Sequence, residues 1–202
     1  MATTLPNVVC VSAPSRFSGK GTVAHVLIRE MRYVQFNYAL PLKTMWTALC
    51  MINGLDKPTI ERTLTGDLKE TPMSALAGLS LRTFAEGVGT TWGRNMVHHD
   101  LWVDMARPRL KALLAEGKRI VIEDARFKNE CELARELGGR VVNVIRPVFN
   151  GGVEPTLASE GHLKDYDFDW TFTNTGTIAD LQSQVRWYFS PRADVAPWNS
   201  DR

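Results

Sequence analysis

The stretch "SAPSRFSGKGT" (12–22) spaces small, basic and hydroxyl residues as a phosphate-holding loop would. Gly19 and Lys20 match the end of such a loop, and Gly21 and Thr22 follow. Glycine tolerates positive φ and lets consecutive backbone N–H groups face an anion. Lys20 would then offset the β- and γ-phosphate charge of a nucleotide, with Ser15, Arg16, Ser18, Gly19 and Gly21 lining the loop. Thr22, rather than Gly21, is the residue placed to touch a magnesium ion. Pro14 departs from the complete motif, because it stands where the first glycine belongs, holds φ at about −65° and has no N–H. The bend is therefore expected at Ser12 and Ala13, with residues 15–21 supplying the amides. The alternative is an ordinary strand-to-helix turn that happens to contain Ser, Gly and Lys.

A second group of residues lies in "VIEDARFKNE" (121–130). Open α/β folds bind ligands outside the carboxyl ends of their strands, and Asp124 falls there. Asp124 could hold the water shell of a magnesium ion beside Thr22, while Arg126 projects toward the same crevice as a phosphate ligand. Glu123 alternates to the other side of an ideal strand and ranks below Asp124. By themselves Asp124 and Arg126 read as a structural ion pair, the more frequent role of such neighbours, and the phosphate loop shifts the balance toward a site.

The third group is "LRTFAEGVGTTWGRNMVHHDLW" (81–102), where Arg82 and Arg94 flank an expected Gly-Val-Gly turn with Trp92 nearby. Guanidinium groups match phosphate oxygens in bidentate geometry, and an indole stacks on a base or an arginine, so the group suits a phosphorylated second substrate. Against this, Trp92 and Trp102 each read singly as core residues and both arginines as solvated. His98 and His99 lack partners at metal-ligand spacing and read as surface residues.

Alternating strands and helices must position these groups. "NVVCVSA" (7–13) is a continuous apolar run typical of a strand covered on both faces. In "GKGTVAHVLIREM" (19–31) Val23, Val26, Leu27 and Met31 recur at helical spacing. "RIVIEDARF" and "RVVNVIRP" are two more strands around the helical "KNECELARELGG", which Gly138 and Gly139 terminate. "YVQFNYA" and "DFDWTFTN" complete five strands, and "TIADLQSQVRWYF" reads as a closing helix capped by Thr177. The alternation predicts a three-layer α/β fold around a mostly parallel sheet. A helical lobe over about 40–116 interrupts a core of about 5–32 and 117–190, and a loose tail follows at 191–202.

The 202 residues, 44% hydrophobic, suffice for one sizeable core. Twenty-four basic and 22 acidic residues are dispersed, so no polybasic run points to nucleic acid or a membrane surface. Three well-separated cysteines, Cys10, Cys50 and Cys131, suggest buried thiols in a reducing compartment. No stretch approaches the ~20 apolar residues of a bilayer-crossing helix. A cytoplasmic protein is expected.

The blocks "SGKGTVA", "FNYALPLK", "LSLRTFAEGVGTTWGRNMVHHDLWV", "IVIEDARFKNECELARELGGRVVNVIRP" and "SEGHLKDYDFDWTFTNTGTIADLQSQV", in this order, resemble the deoxynucleoside monophosphate kinases of tailed bacteriophages. The resemblance runs over about 7–185 and is most specific at 89–94 and 124–130. It implies a P-loop kinase core, a helical lobe gripping the acceptor monophosphate, and a lid over ATP at about 146–166. It also implies transfer of the γ-phosphoryl group of ATP, with magnesium, in the host cytoplasm by an enzyme that is often dimeric. Lys20 and Thr22 fall on the ATP-phosphate and magnesium positions, and Asp124 and Arg126 on the magnesium-shell and acceptor-phosphate positions. Lys43, Arg82 and Arg94 match positions in the acceptor lobe, Trp92 is placed at the base, and Arg146 is the candidate lid cation. Kinases of other small acceptors, and a phosphate-loop protein that binds nucleotide without transfer, are the competing readings.

Overall fold

The computed structural model describes residues 5–14, 17–147 and 162–190. Their strands form one parallel sheet, order β2-β3-β1-β4-β5, from β1 (Val8–Ser12), β2 (Tyr33–Phe36), β3 (Arg119–Ile122), β4 (Arg140–Ile145) and β5 (Trp170–Thr173). Every pairing is parallel, and β1 occupies the centre. All five β1 residues are buried, which explains the unbroken apolar run: a central strand covered on both faces has no wet side to alternate toward.

The chain divides into two compact units, Met1–Asn37 with Ala106–Arg202, and Tyr38–Met105. In the first, helices α1 (Lys20–Met31) and α7 (Ile178–Tyr188) lay Val23, Val26, Leu27, Leu181 and Val185 against Val9, Val11, Val121, Val142, Val144 and Phe172 of the sheet. Helix α6 (Lys128–Glu136) covers the opposite face, where Cys131 Sγ lies 3.9 Å from Cys10 Sγ. Both thiols are fully buried. The charged ends of α1 and α7 are joined by Arg186, which donates to both Glu30 carboxylate oxygens at 2.8 Å.

Helix α7 starts at a reciprocal cap. The Thr177 hydroxyl accepts from the Asp180 N–H at 3.2 Å, and the Asp180 carboxylate accepts from the Thr177 N–H at 2.7 Å. The Thr177 hydroxyl, which also donates to the Asp180 carboxylate at 2.7 Å, and then the Thr177 N–H hold the Asp180 carboxyl below its ordinary range, so the cap contributes at neutral pH and fades as pH falls below about 4. Thr177→Ala is expected to lower the thermal midpoint by about 2–4 °C, read by calorimetry at pH 7.

The second unit is helical: α2 (Leu40–Ile52), α3 (Lys57–Thr65), α4 (Leu81–Glu86) and a wide-turn helical segment, Gly87–Val97, before α5 (Leu101–Ala115) crosses into the first unit. Its core is built on Trp46, whose indole N–H donates to the Thr63 hydroxyl at 2.8 Å; that hydroxyl donates to the Ile60 carbonyl at 2.7 Å. The expected Gly-Val-Gly turn is absent. Residues 87–89 continue the helix, and Gly89 and Gly93 serve close packing instead. A Cβ at Gly89 would stand 3.1 Å from Leu42 Cδ1, and one at Gly93 would meet the Trp102 ring at 2.8 Å. Trp102 also donates to the Gly89 carbonyl at 2.7 Å. Wide helical turns of this kind recur at functional sites.

Candidate active site

The loop after β1 is shaped at two residues of positive φ, Phe17 (59°) and Gly19 (112°). Ser12 still belongs to β1 and pairs with Asn143, so the expected bend at Ser12 is corrected. Pro14, exposed, begins the loop without the left-handed conformation its ring forbids, and the chain makes that turn later. Gly19 is confined as well as turned: a Cβ there would fall 2.6 Å from Leu181 Cδ2 and 2.9 Å from Asn174 Nδ2. Phe17 is 88% exposed, an unusual place for an aromatic ring in a left-handed backbone. Ser15 and Arg16 lie outside the described residues.

Beyond the loop, Lys20 opens α1 and Thr22 is half-buried in its first turn. The Thr22 and Val23 amides donate to the Gly19 carbonyl at 3.0 and 3.1 Å, and no acidic residue stands in the first turn to neutralise the helix dipole. An anion is thus the natural ligand of this end. Asn174, just past β5, holds the loop from below: its side-chain amide donates to the Ser18 carbonyl at 2.9 Å. Its own N–H donates to Ile145 O at 2.8 Å, tying the contact to the sheet. Asn174 escaped the sequence reading, although "TNTGT" marks it as a polar residue at a strand end. Asn174→Ala should raise KM for ATP about tenfold while the thermal midpoint moves by only ~2–4 °C, since one hydrogen bond of ordinary net worth is lost.

Asp124 lies two residues past β3, half-buried, and continuing the β1–β3 register sets it level with Ser12. Glu123 does turn elsewhere and accepts a hydrogen bond from the Gln35 side chain. Arg126 is exposed, and its backbone is clamped from α6: the buried Glu130 carboxylate accepts from the N–H of Arg126 at 2.7 Å and of Phe127 at 3.2 Å. Glu130 was also missed, though a glutamate three residues after a helix cap is a sequence signal. Phe127 stacks on His162 with ring centroids 4.7 Å apart. Arg146 is exposed just past β4, whereas most of the expected lid, 148–161, lies outside the described residues, as does the tail.

The second unit holds Lys43, Arg82, Trp92 and Arg94. Neither arginine is simply solvated. Arg94 is 5% exposed and donates to the His99 carbonyl at 3.0 Å, while Arg82 Nη1 lies 3.3 Å from Glu70 Oε1. Trp92 is 46% exposed and not a core residue, in contrast to Trp102, which is buried. Lys43 is half-buried on α2. His98 and His99 are at the surface beside Asp104 and Asp100.

The donor set near the loop fits magnesium. A hydroxyl, Thr22, and a carboxylate, Asp124, are hard oxygen ligands, and magnesium uses one or two such groups beside nucleotide phosphates and water rather than a protein cage. Among the described residues no three His, Cys, Asp or Glu groups cluster as such a cage. Thiol chemistry does not suit the site, because hydrogen bonding to Cys131 and burial push the Cys10 thiol well above its ordinary pKa. No helix among the described residues is long and apolar enough to cross a membrane.

A parallel five-stranded α/β sheet, a phosphate-type loop between its central strand and first helix, and an acidic residue beyond the neighbouring strand define an α/β fold of the phosphate-loop class. Comparison with known proteins narrows the class. Residues 47–185 match the deoxynucleotide monophosphate kinase family, and the chain belongs to that family. It is therefore an ATP-dependent phosphotransferase. A protein of Acanthamoeba polyphaga mimivirus, provisionally named a deoxynucleotide monophosphate kinase, is 28% identical over 178 residues, covering 83% of this chain and 89% of that one. Two solved structures are also similar: dephospho-CoA kinase from Campylobacter jejuni, with 16% identity, 89% and 93% coverage and a TM-score of 0.44, and TT1252 from Thermus thermophilus, with 18% identity, 96% and 100% coverage and a TM-score of 0.43.

Proposed function

We propose that the protein transfers the γ-phosphoryl group of ATP to a deoxynucleoside 5′-monophosphate, producing the diphosphate for DNA precursor supply during bacteriophage infection, in the host cytoplasm. The observation that carries the reading is the loop at Gly19. It is turned by positive φ, pinned by Asn174 and leads into α1, where Lys20 and Thr22 stand in the first turn. Membership of the kinase family points to the same chemistry, and the mimivirus relative is viral.

In this reading Lys20 and the loop amides hold the β- and γ-phosphates. Thr22 and Asp124, the latter through water, hold magnesium, which when bound neutralises charge on the phosphate oxygens. Arg126, Arg82, Arg94 and Lys43 are the cations assigned to the acceptor phosphate, and Trp92 offers an exposed indole to the base. Arg146 contributes a cation from the lid. The loose transition state of phosphoryl transfer needs aligned oxygens and compensated charge more than a nucleophile, and the acceptor is already an anion. No general base is needed. The buried contacts of Arg94 keep its guanidinium oriented before substrate arrives, which reduces the ordering cost on binding.

The test is a panel of ribo- and deoxyribonucleoside monophosphates, modified bases included, assayed for monophosphate-dependent ADP release with ATP and magnesium. Turnover with at least one deoxynucleotide supports the reading; ATP binding without turnover on any member refutes it.

A further inference from the structure

Three buried side-chain atoms of the first unit, Arg135 Nε, Asn143 Oδ1 and the Tyr166 hydroxyl oxygen, have no hydrogen-bond partner among the described residues, and Asn143 lies nearest the phosphate loop in the strand register. Asn143 Oδ1, on β4, is buried and accepts no hydrogen bond from the described residues. A buried amide oxygen left in that state is costly, so a partner is expected in some functional state of the molecule. Its position says which one. Val9, Val11, Val121, Val142 and Val144 all enter the core under α1 and α7, so the alternate residues Cys10, Ser12 and Asn143 face the other side of the sheet. Asn143 is paired with Ser12, the last β1 residue before the phosphate loop. On the other flank of β1, the register continued from Cys10–Ile122 brings Asp124 level with Ser12.

Asp124, Ser12 and Asn143 therefore form one row across three adjacent strands at the carboxyl end of the sheet. The outer two are separated by two strand spacings, about 10 Å between Cα atoms. Ser12, between them, is small and buried. We propose that Asn143 is a positioning residue of the transfer site: its side-chain oxygen accepts a hydrogen bond from an ordered water of the magnesium–nucleotide complex, above Ser12 and opposite Asp124. The inference rests on the nucleotide-kinase reading for its ligand, but not on the identity of the acceptor. It gives Asn143 a role in how tightly magnesium is held with ATP and leaves acceptor affinity untouched.

The test uses the full chain with magnesium and a non-hydrolysable ATP analogue, following the rise in thermal midpoint as magnesium is titrated, alongside the transfer assay. Asn143→Leu is expected to leave the unliganded midpoint unchanged or higher, since an unsatisfied acceptor is replaced by an apolar group of similar shape. The magnesium concentration for half-maximal effect should rise about tenfold, with acceptor KM unchanged. Asn143→Ala serves the same purpose if leucine does not fit. Asn143→Asp retains the acceptor oxygen and should stay close to the wild type. Wild-type magnesium dependence in both Leu and Ala variants overturns the proposal, as does an Asp variant shifted as far as the Leu variant. If the Asn143-dependent magnesium effect is present but no monophosphate is phosphorylated, the proposal stands and the acceptor reading fails.

Discussion

Lys20→Ala is expected to lower kcat/KM for phosphoryl transfer by about 10³-fold, the scale on which preorganised charges at a reacting phosphate act. The loss arises because charge on the transferring oxygens is compensated by a few fixed cations, and an ammonium held at the head of α1 cannot be replaced by water without reorganisation. Folding should be nearly unaffected. Lys20 sits at the first helical position, where alanine is a good helix former, and contributes nothing to the core beneath α1. Steady-state kinetics with a saturating deoxynucleotide acceptor, together with a thermal melt, checks both halves. Turnover within tenfold of the wild type would remove the loop from the mechanism.

Gly19→Ala carries the second large effect, and here stability and activity fall together. The substitution places a side chain in a backbone of φ 112°, a region that L residues rarely occupy. It also drives the new Cβ to 2.6 Å from Leu181 Cδ2 and 2.9 Å from Asn174 Nδ2. Conformational strain and overpacking each cost about 1–3 kcal/mol. For a chain of this size the midpoint should therefore fall by about 5–15 °C. The loop must also move off the Asn174 amide that holds Ser18, so kcat/KM for ATP should drop by about 10²-fold, the usual consequence of misplacing a catalytic group by an ångström. A Gly19→Ala protein that melts and turns over like the wild type would contradict the geometry of the loop.

The two variants separate what the loop does electrically from what it does geometrically. The same distinction governs how much was legible beforehand. The strands announced themselves because each is a short apolar run, and α1 because Val23, Val26 and Leu27 recur at three and four residues. Such signals are set by neighbours close in the chain. The phosphate loop, the strand-end position of Asp124 and the Thr177 cap are of the same kind, since each depends on a residue's conformational freedom or donor groups over a few positions. "GVGTTWGR" misled because glycine marks both turns and close packing. Only the positions of Leu42 and Trp102, brought against Gly89 and Gly93, distinguish the two. Arg94 likewise looked like a solvated cation, and its burial depends on a fold-back to the His99 carbonyl that no periodicity encodes.

The amino-acid sequence by itself determined the α/β class, the five strands and the helical lobe, and singled out the residues proposed to hold phosphate and magnesium, because these follow from local pattern and side-chain chemistry. Tertiary structure alone decided which distant residues share a level of the sheet. Asn174 reaches the Ser18 carbonyl across 156 positions. The strand order β2-β3-β1-β4-β5 is what aligns Asp124, Ser12 and Asn143 in one row. Parallel strands joined by long crossovers can pair in many orders, and the order adopted is chosen by the burial of both sheet faces at once. That is a property of the whole core rather than of any segment of it.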